Sequence, residues 1–241
     1  VSWDPTGKNI LYTAITARGT RVFMQGFRPL RVKSVEVFFD EGTGSAAEWG
    51  STGRVFISKY VNRSNTDIYE YYLDGEKIYG LPTPKLRESD RITKNSAIET
   101  EPALSPDGRY LALISDRTGS PQVYVRDMQR KKLTRITENG NYNVSPSWSP
   151  DGKFIAYASR RSGVSSIYRI DPKSKEENRV TPKNMNAESP TWSPDGSMIA
   201  FSGKKGGDWK IFYSLSSGGQ AVRLTNSKAG LQETMPSWGP S

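Results

Sequence analysis

Asp107, Asp151 and Asp195 recur at intervals of 44 residues, each inside a Ser-Pro-Asp-Gly string, and repeated carboxylates are the first place to look for chemistry. Paired carboxylates can run acid–base chemistry unaided, as glycosidases do. Composition closes most other routes, because the 241 residues contain no histidine and no cysteine. That excludes a Ser-His-Asp triad, an imidazole acid or base, a cysteine nucleophile, a disulfide framework and any thiolate- or His-ligated metal. For the three aspartates the string itself offers a mechanical account. Proline presets φ at the first corner of a type I turn, aspartate suits the second, and glycine supplies the left-handed residue that restarts the chain. They read as turn residues, and no catalytic residue is assigned.

The element that holds each aspartate is a repeat. Pro146-Ser147-Trp148-Ser149-Pro150-Asp151-Gly152-Lys153 recurs from Pro190 to Ser197, and from Pro102 to Arg109 with Leu104 in the tryptophan slot. Worn copies span Ser2 to Lys8 and Glu48 to Arg54, and a last copy begins at Pro236. The slots fall at 3, 49, 104, 148, 192 and 238, so six anchors bound five repeats of 44 to 55 residues. Their boundaries are approximately 1–45, 46–100, 101–144, 145–188 and 189–234, followed by a closing strand at 235–241.

Within each repeat, an apolar run such as Phe154–Ser159 is followed by a polar turn. Then comes a strand such as Ile167–Asp171, and a short Arg-aliphatic-Thr run: Arg91–Thr93, Arg135–Thr137, Arg179–Thr181, Arg223–Thr225. Four short β-rich runs per repeat predict one antiparallel blade of a β-propeller, all-β, in a single domain over 1–241. With 22 Gly, 15 Pro and only 34% hydrophobic residues, the chain suits short strands and turns better than helices. An insertion around 79–88 predicts a long loop before the last strand of the second repeat. The anchor tryptophans are expected to wedge between neighbouring blades. The longest apolar runs, Tyr110–Ile114 and Phe154–Ala158, are five residues each, far short of the roughly 20 that a membrane helix needs, so no membrane insertion is expected. The sequence does not begin with methionine and shows no signal peptide, and is expected to be a mature or truncated piece of a longer chain.

The Pro-x-Trp-Ser-Pro-Asp-Gly-Lys-x-Ile-Ala-Tyr string, its period and the Arg-Leu-Thr follower resemble TolB-type propeller repeats. The likeness runs through the whole chain and is clearest from Glu101 to Ser241. The WD40, Kelch and sialidase signatures are absent. The resemblance implies a fragment of a six-bladed parent, with Met235–Trp238 as the innermost strand of a blade whose other strands are missing. Alternatively, that strand competes with Val1–Trp3 for one place in a five-bladed ring. The resemblance also implies a periplasmic, non-enzymatic, monomeric protein of a Tol-Pal-like envelope system, with the peptidoglycan-associated lipoprotein Pal as partner. A second reading is the non-catalytic propeller domain of a larger prolyl-oligopeptidase-like peptidase. Without histidine or a Gly-x-Ser-x-Gly elbow this chain cannot hydrolyse peptides by itself. Oligogalacturonate-lyase-type propellers are similar too, but depend on a His-rich metal site that this chain cannot build.

In a four-stranded blade the second-to-third turn and the blade link share one face. The turns here are basic: Arg18, Arg63, Arg117, Arg160 with Arg161, and Lys204 with Lys205. The links carry Glu99, Asn143, Glu188 and Glu233. The expected partner-binding face therefore has acidic and amide groups near the channel mouth, ringed by positive charge. Carboxylate and amide oxygens suit a hard cation, and Ca2+ is the candidate for the central channel; no other cofactor is expected. The formal net charge of +9 invites nucleic-acid binding, but no helix-turn-helix, zinc finger or RNP-like string is present and none is expected.

Overall fold

A computed structural model describes residues 1–4, 6–17, 19–26, 35–38, 43–50, 53–62, 64–74, 85–204 and 207–239. Each repeat forms one four-stranded sheet with its strands in sequence order. Blade one contains β1 (Ser2–Trp3), β2 (Asn9–Thr16), β3 (Gly19–Gly26) and β4 (Val35–Phe38). Blade two contains β5 (Thr43–Trp49), β6 (Arg54–Asn62), β7 (Asn65–Asp74) and β8 (Lys85–Arg91). Blade three contains β9 (Glu99–Leu104), β10 (Tyr110–Ser115), β11 (Gln122–Asp127) and β12 (Leu133–Arg135). Blade four contains β13 (Tyr142–Trp148), β14 (Ile155–Arg161), β15 (Val164–Ile170) and β16 (Glu177–Arg179). Blade five contains β17 (Asn186–Trp192), β18 (Met198–Lys204), β19 (Lys210–Leu215) and β20 (Val222–Arg223). All pairings within the blades are antiparallel, and the blades are arranged as a β-propeller. No helix occurs among the described residues.

The core lies between the blades. Leu11, Val22 and Met24 of blade one pack with Trp49, Ile57 and Tyr71 of blade two. Phe56 and Ile68 meet Leu111 and Leu113 across blades two and three, and Ile114 and Val123 meet Tyr157 and Tyr168 across blades three and four. Ala158 and Ile167 meet Trp192 and Phe201 across the last pair. A single blade could not bury both of its faces, so stacking is what stabilises each repeat. The anchor tryptophan adds a directional bond. The indole N–H of Trp148 donates to Ala103 O and that of Trp192 to Ser147 O, both at 3.0 Å and each in the preceding blade.

The anchor turn has the expected geometry. Gly152 N donates to Ser149 O at 2.9 Å, and Gly152 has φ +67°. The Ser149 hydroxyl donates to Asp151 Oδ1 at 2.6 Å and accepts from Phe154 N at 2.9 Å, while Lys153 N donates to Asp151 at 3.1 Å. At the equivalent turn of blade five the Ser193 hydroxyl, with the amide and hydroxyl of Ser197, holds the Asp195 carboxyl down at about 2. Gly152→Val should therefore lower stability by at least about 1 kcal/mol in urea denaturation, because a β-branched residue fits poorly at positive φ. Space is not the obstacle, since an added Cβ would meet only Pro106 Cδ at 3.8 Å. An unchanged midpoint would refute the turn assignment.

The Arg-aliphatic-Thr run closes the outer edge of blades two to five. Thr93, Thr137, Thr181 and Thr225 accept the third-strand amides of Ile68, Val123, Ile167 and Ile211 at 2.9 to 3.1 Å. The arginine of each run turns its Nε to the threonine carbonyl, at 2.6 to 3.2 Å. Threonine is used because one hydroxyl can accept an amide and still donate onward. Thr137 donates to Gln122 Oε1 at 2.8 Å, and Thr225 to Glu233 Oε2 at 2.6 Å.

Two features differ from the sequence expectation. The closing segment is not a strand: Met235–Gly239 pairs with no sheet, and 240–241 lie outside the described residues. Met235 N donates to the Ser202 hydroxyl of blade five at 2.8 Å, while Gly239 lies against the Trp3 ring of blade one, where a Cβ would be 3.6 Å from it. The segment thus bridges the two blades, and β1 already holds the innermost place of blade one. The second feature is a left-handed residue three before the slot, at Glu101 (φ +50°), Ser145 (+55°), Ser189 (+55°) and Met235 (+56°). It accompanies a bulge in β13 and β17. Nothing in these residue types announces positive φ. Most of the insertion around 79–88 lies outside the described residues, and its end enters β8.

Candidate protein-binding face

The blade links and second-to-third turns do share one face. Asn143 N donates to Pro121 O and Glu233 N to Trp209 O, both at 2.9 Å, and Ile98 N donates to Asp116 Oδ1 at 2.8 Å. Arg18, Arg63 and Lys205 lie outside the described residues. Of the rest, the structure pairs Glu99 with Arg117 and ties Arg161 and Asn143 to other neighbours. Glu99, fully buried, takes the Arg117 guanidinium on Oε1, together with Asn95 Nδ2 at 3.0 Å and the Ser115 hydroxyl at 3.3 Å. Arg117 also lies over the Tyr124 ring at 5.2 Å. Glu99 therefore already has its cation, from its own blade. Arg161 is similarly engaged: it binds Glu177 through both terminal nitrogens, at 2.7 and 2.9 Å, and lies over Tyr168 at 3.7 Å. Asn143 is fully buried and donates to Gln122 Oε1 at 2.7 Å.

Glu188 stands apart. Glu99 pairs in register with Ser115, and Asn143 with Ser159; the corresponding residue in blade five is Ala187, opposite Gly203. Glu188 is one residue later, opposite Ser202, and neighbouring strand residues point to opposite faces. It is half-buried, and its carboxylate has no hydrogen-bond or ion-pair partner among the described residues. Among the described residues two exposed cations remain of those expected on the turns: Lys204, and Arg160 with its guanidinium 5.0 Å from the Tyr142 ring. Glu233 is half-buried, and the Thr225 hydroxyl, helped by Lys210, holds its carboxyl below the usual range. Lys210 is itself buried, donating to Ser227 Oγ at 2.5 Å and Leu231 O at 2.7 Å.

The channel is lined by the residue before each slot: Ser2, Glu48, Ala103, Ser147, Thr191 and Ser237. Its cavity is about 320 Å3. Glu48 breaks a series of small residues, and burial pushes its carboxyl up to about 7. Aligning the anchors reveals this glutamate, which charge counting on the turns overlooked. Among the described residues no three carboxylates converge to hold a metal ion. Of the oxygens expected to offer a Ca2+ site, Glu99 Oε1 takes Arg117 and Glu233 Oε2 takes the Thr225 hydroxyl. What this face presents to solvent, among the described residues, is Arg160 and Lys204 beside the half-buried Glu188.

A sequence model of the family described as "TolB beta propeller domain" matches residues 1–241. The chain belongs to that family. Among relatives of this TolB-family propeller, the "Protein TolB homolog" of Chlorobaculum tepidum is 38% identical over 127 residues, and that of Chlorobium luteolum 31% over 125. Each match covers 52% of this chain and 25% of the relative. The crystal structure of TolB from Acinetobacter baumannii superposes with a TM-score of 0.81 at 24% identity, over 100% of this chain and 56% of that one. The TolB-family propeller thus spans a little over half of that solved chain, whose likeness speaks for the fold. No helix among its described residues is long and apolar enough to cross a membrane.

Proposed function

We propose that this TolB-family propeller is a non-catalytic docking scaffold of a Tol-Pal-like envelope system in the periplasm. It binds a Pal-like lipoprotein as a monomer on the face of the blade links. The observation that carries the reading is Glu188, half-buried and with no side-chain partner among the described residues, on a face where the other link carboxylates, Glu99 and Glu233, already have theirs. A carboxylate in that state gains from a partner cation or amide, and exposed Arg160 and Lys204 supply the attraction for an acidic surface around it.

The test is surface kinetics against a Pal-like lipoprotein domain at two salt concentrations. Glu188→Gln should chiefly speed dissociation, by on the order of 2 kcal/mol, roughly thirtyfold, if the carboxylate is buried in the complex. Arg160→Glu with Lys204→Glu should slow association and flatten its salt dependence, because rim charges steer encounter. Arg161 is unsuitable for this test, since its reversal would break the Glu177 pair. Wild-type dissociation in Glu188→Gln would remove the link face from the mechanism.

A further inference from the structure

Between blades three and four, on the side of the anchor turns, lies a cavity of about 240 Å3. Val125 and Ile136 contribute apolar surface, alongside the Tyr110 and Trp148 rings, whose centroids are 6.4 Å apart. Lys132, Lys173 and Arg130 also line it. Neither lysine's ammonium group has a hydrogen-bond or ion-pair partner among the described residues. The acidic lining residue, Asp127, is already committed to Arg109 and Arg130 at 3.7 and 3.6 Å. The cavity is thus apolar inside and net positive outside.

The neighbouring cleft shows that this is not a generic feature of stacked blades. Val125 sits opposite Ala112 in its sheet, and the residue in that place one blade on is Arg169, opposite Ala156. The Arg169 guanidinium lies 4.7 Å from the Phe154 ring and covers that aromatic face. Asp151 and Asp195 line the same cleft. Valine at position 125 leaves the Tyr110 ring, the counterpart of Phe154, lining the cavity, although the Arg109 guanidinium lies 5.1 Å from its centroid, and two lysines line this cleft where the sibling's lining has none. We propose that the cleft between blades three and four is a second docking site, taking one aromatic side chain of an acidic peptide segment. Its volume is below the roughly 300–1,000 Å3 typical of small-molecule pockets, which suits a single side chain. The rim charge selects carboxylates on either side of it. The site lies on the anchor-turn side, away from the link face, and is independent of lipoprotein docking there.

The probe is acetyl-Asp-Phe-Asp-amide titrated into the isotope-labelled chain, with amide shifts read by NMR. Shifts should concentrate at Val125, Ile136 and Gly152, and the Asp-Ala-Asp and Lys-Phe-Lys peptides should give none. Val125→Arg, which copies the sibling cleft and so should fold, should abolish them. Lys132→Glu with Lys173→Glu leaves the apolar lining intact and should weaken binding by about tenfold. Full affinity in Val125→Arg or in the double reversal would overturn the proposal. Equal binding of Lys-Phe-Lys, or shifts confined to the link face, would overturn it as well.

Discussion

Trp192→Ala should destabilise the propeller by roughly 3–5 kcal/mol, the range for removing a large buried ring. Trp192 is buried with 6% of its surface exposed, packs between blades four and five, and donates its indole N–H to Ser147 O. Removal opens a cavity in the inter-blade core and also leaves that carbonyl short of a donor. Against a total stability of about 5–15 kcal/mol, the variant should be marginal at room temperature. Trp192→Phe keeps most of the packing and should cost about 1–2 kcal/mol more than packing alone predicts, because the inter-blade bond is lost. Trp238 occupies the same slot in the last anchor, but is half-buried and its indole nitrogen has no acceptor among the described residues. Trp238→Ala should therefore cost well under half as much. Urea denaturation of the three variants decides the matter, and equal losses at 192 and 238 would refute the account of the slot.

Arg117→Met should cost about 3 kcal/mol or more, since it strands a buried carboxylate. Glu99 is fully buried, and its Oε2 already lacks a hydrogen-bond partner, so the Arg117 guanidinium is what compensates the charge. Adding Glu99→Gln to Arg117→Met should recover a large part of the loss, because the neutral amide removes the uncompensated charge while Asn95 and Ser115 remain as hydrogen-bond partners. The pair is thus expected to act in the scaffold before it acts in recognition. Lipoprotein affinity in these variants should track the folded fraction. A variant that is near-neutral in stability yet loses binding would return Arg117 to the docking face.

The propeller was legible from residue order alone, because its causes are local and repeated. Proline, aspartate and glycine at fixed offsets make the anchor turn, and alternating β-branched and aromatic runs make strands of the right length. The period then stacks one blade on the next. Each of those steps depends on residues a few positions apart, so the string around Asp151 predicts Gly152 in the left-handed region without any knowledge of the fold. The Arg-aliphatic-Thr run was visible too, though not the reason that its hydroxyl must both accept and donate.

The state of each charged residue was decided by tertiary structure. Arg117 and Arg161 look alike on neighbouring turns, with Arg160 beside them. Yet Arg117 meets Glu99, Arg161 meets Glu177, and Arg160 stays exposed. Whether a turn cation is free depends on which acidic residue the packing brings beside it, and counting charges cannot show that. Glu188 and Glu99 both stand in the blade links, but a one-residue offset along a strand reverses the face. The same holds for the cleft beside Trp148. Valine stands there where the next blade has arginine, and although the 44-residue period aligns those two positions, which rings line the cleft is decided by how one blade packs on the next.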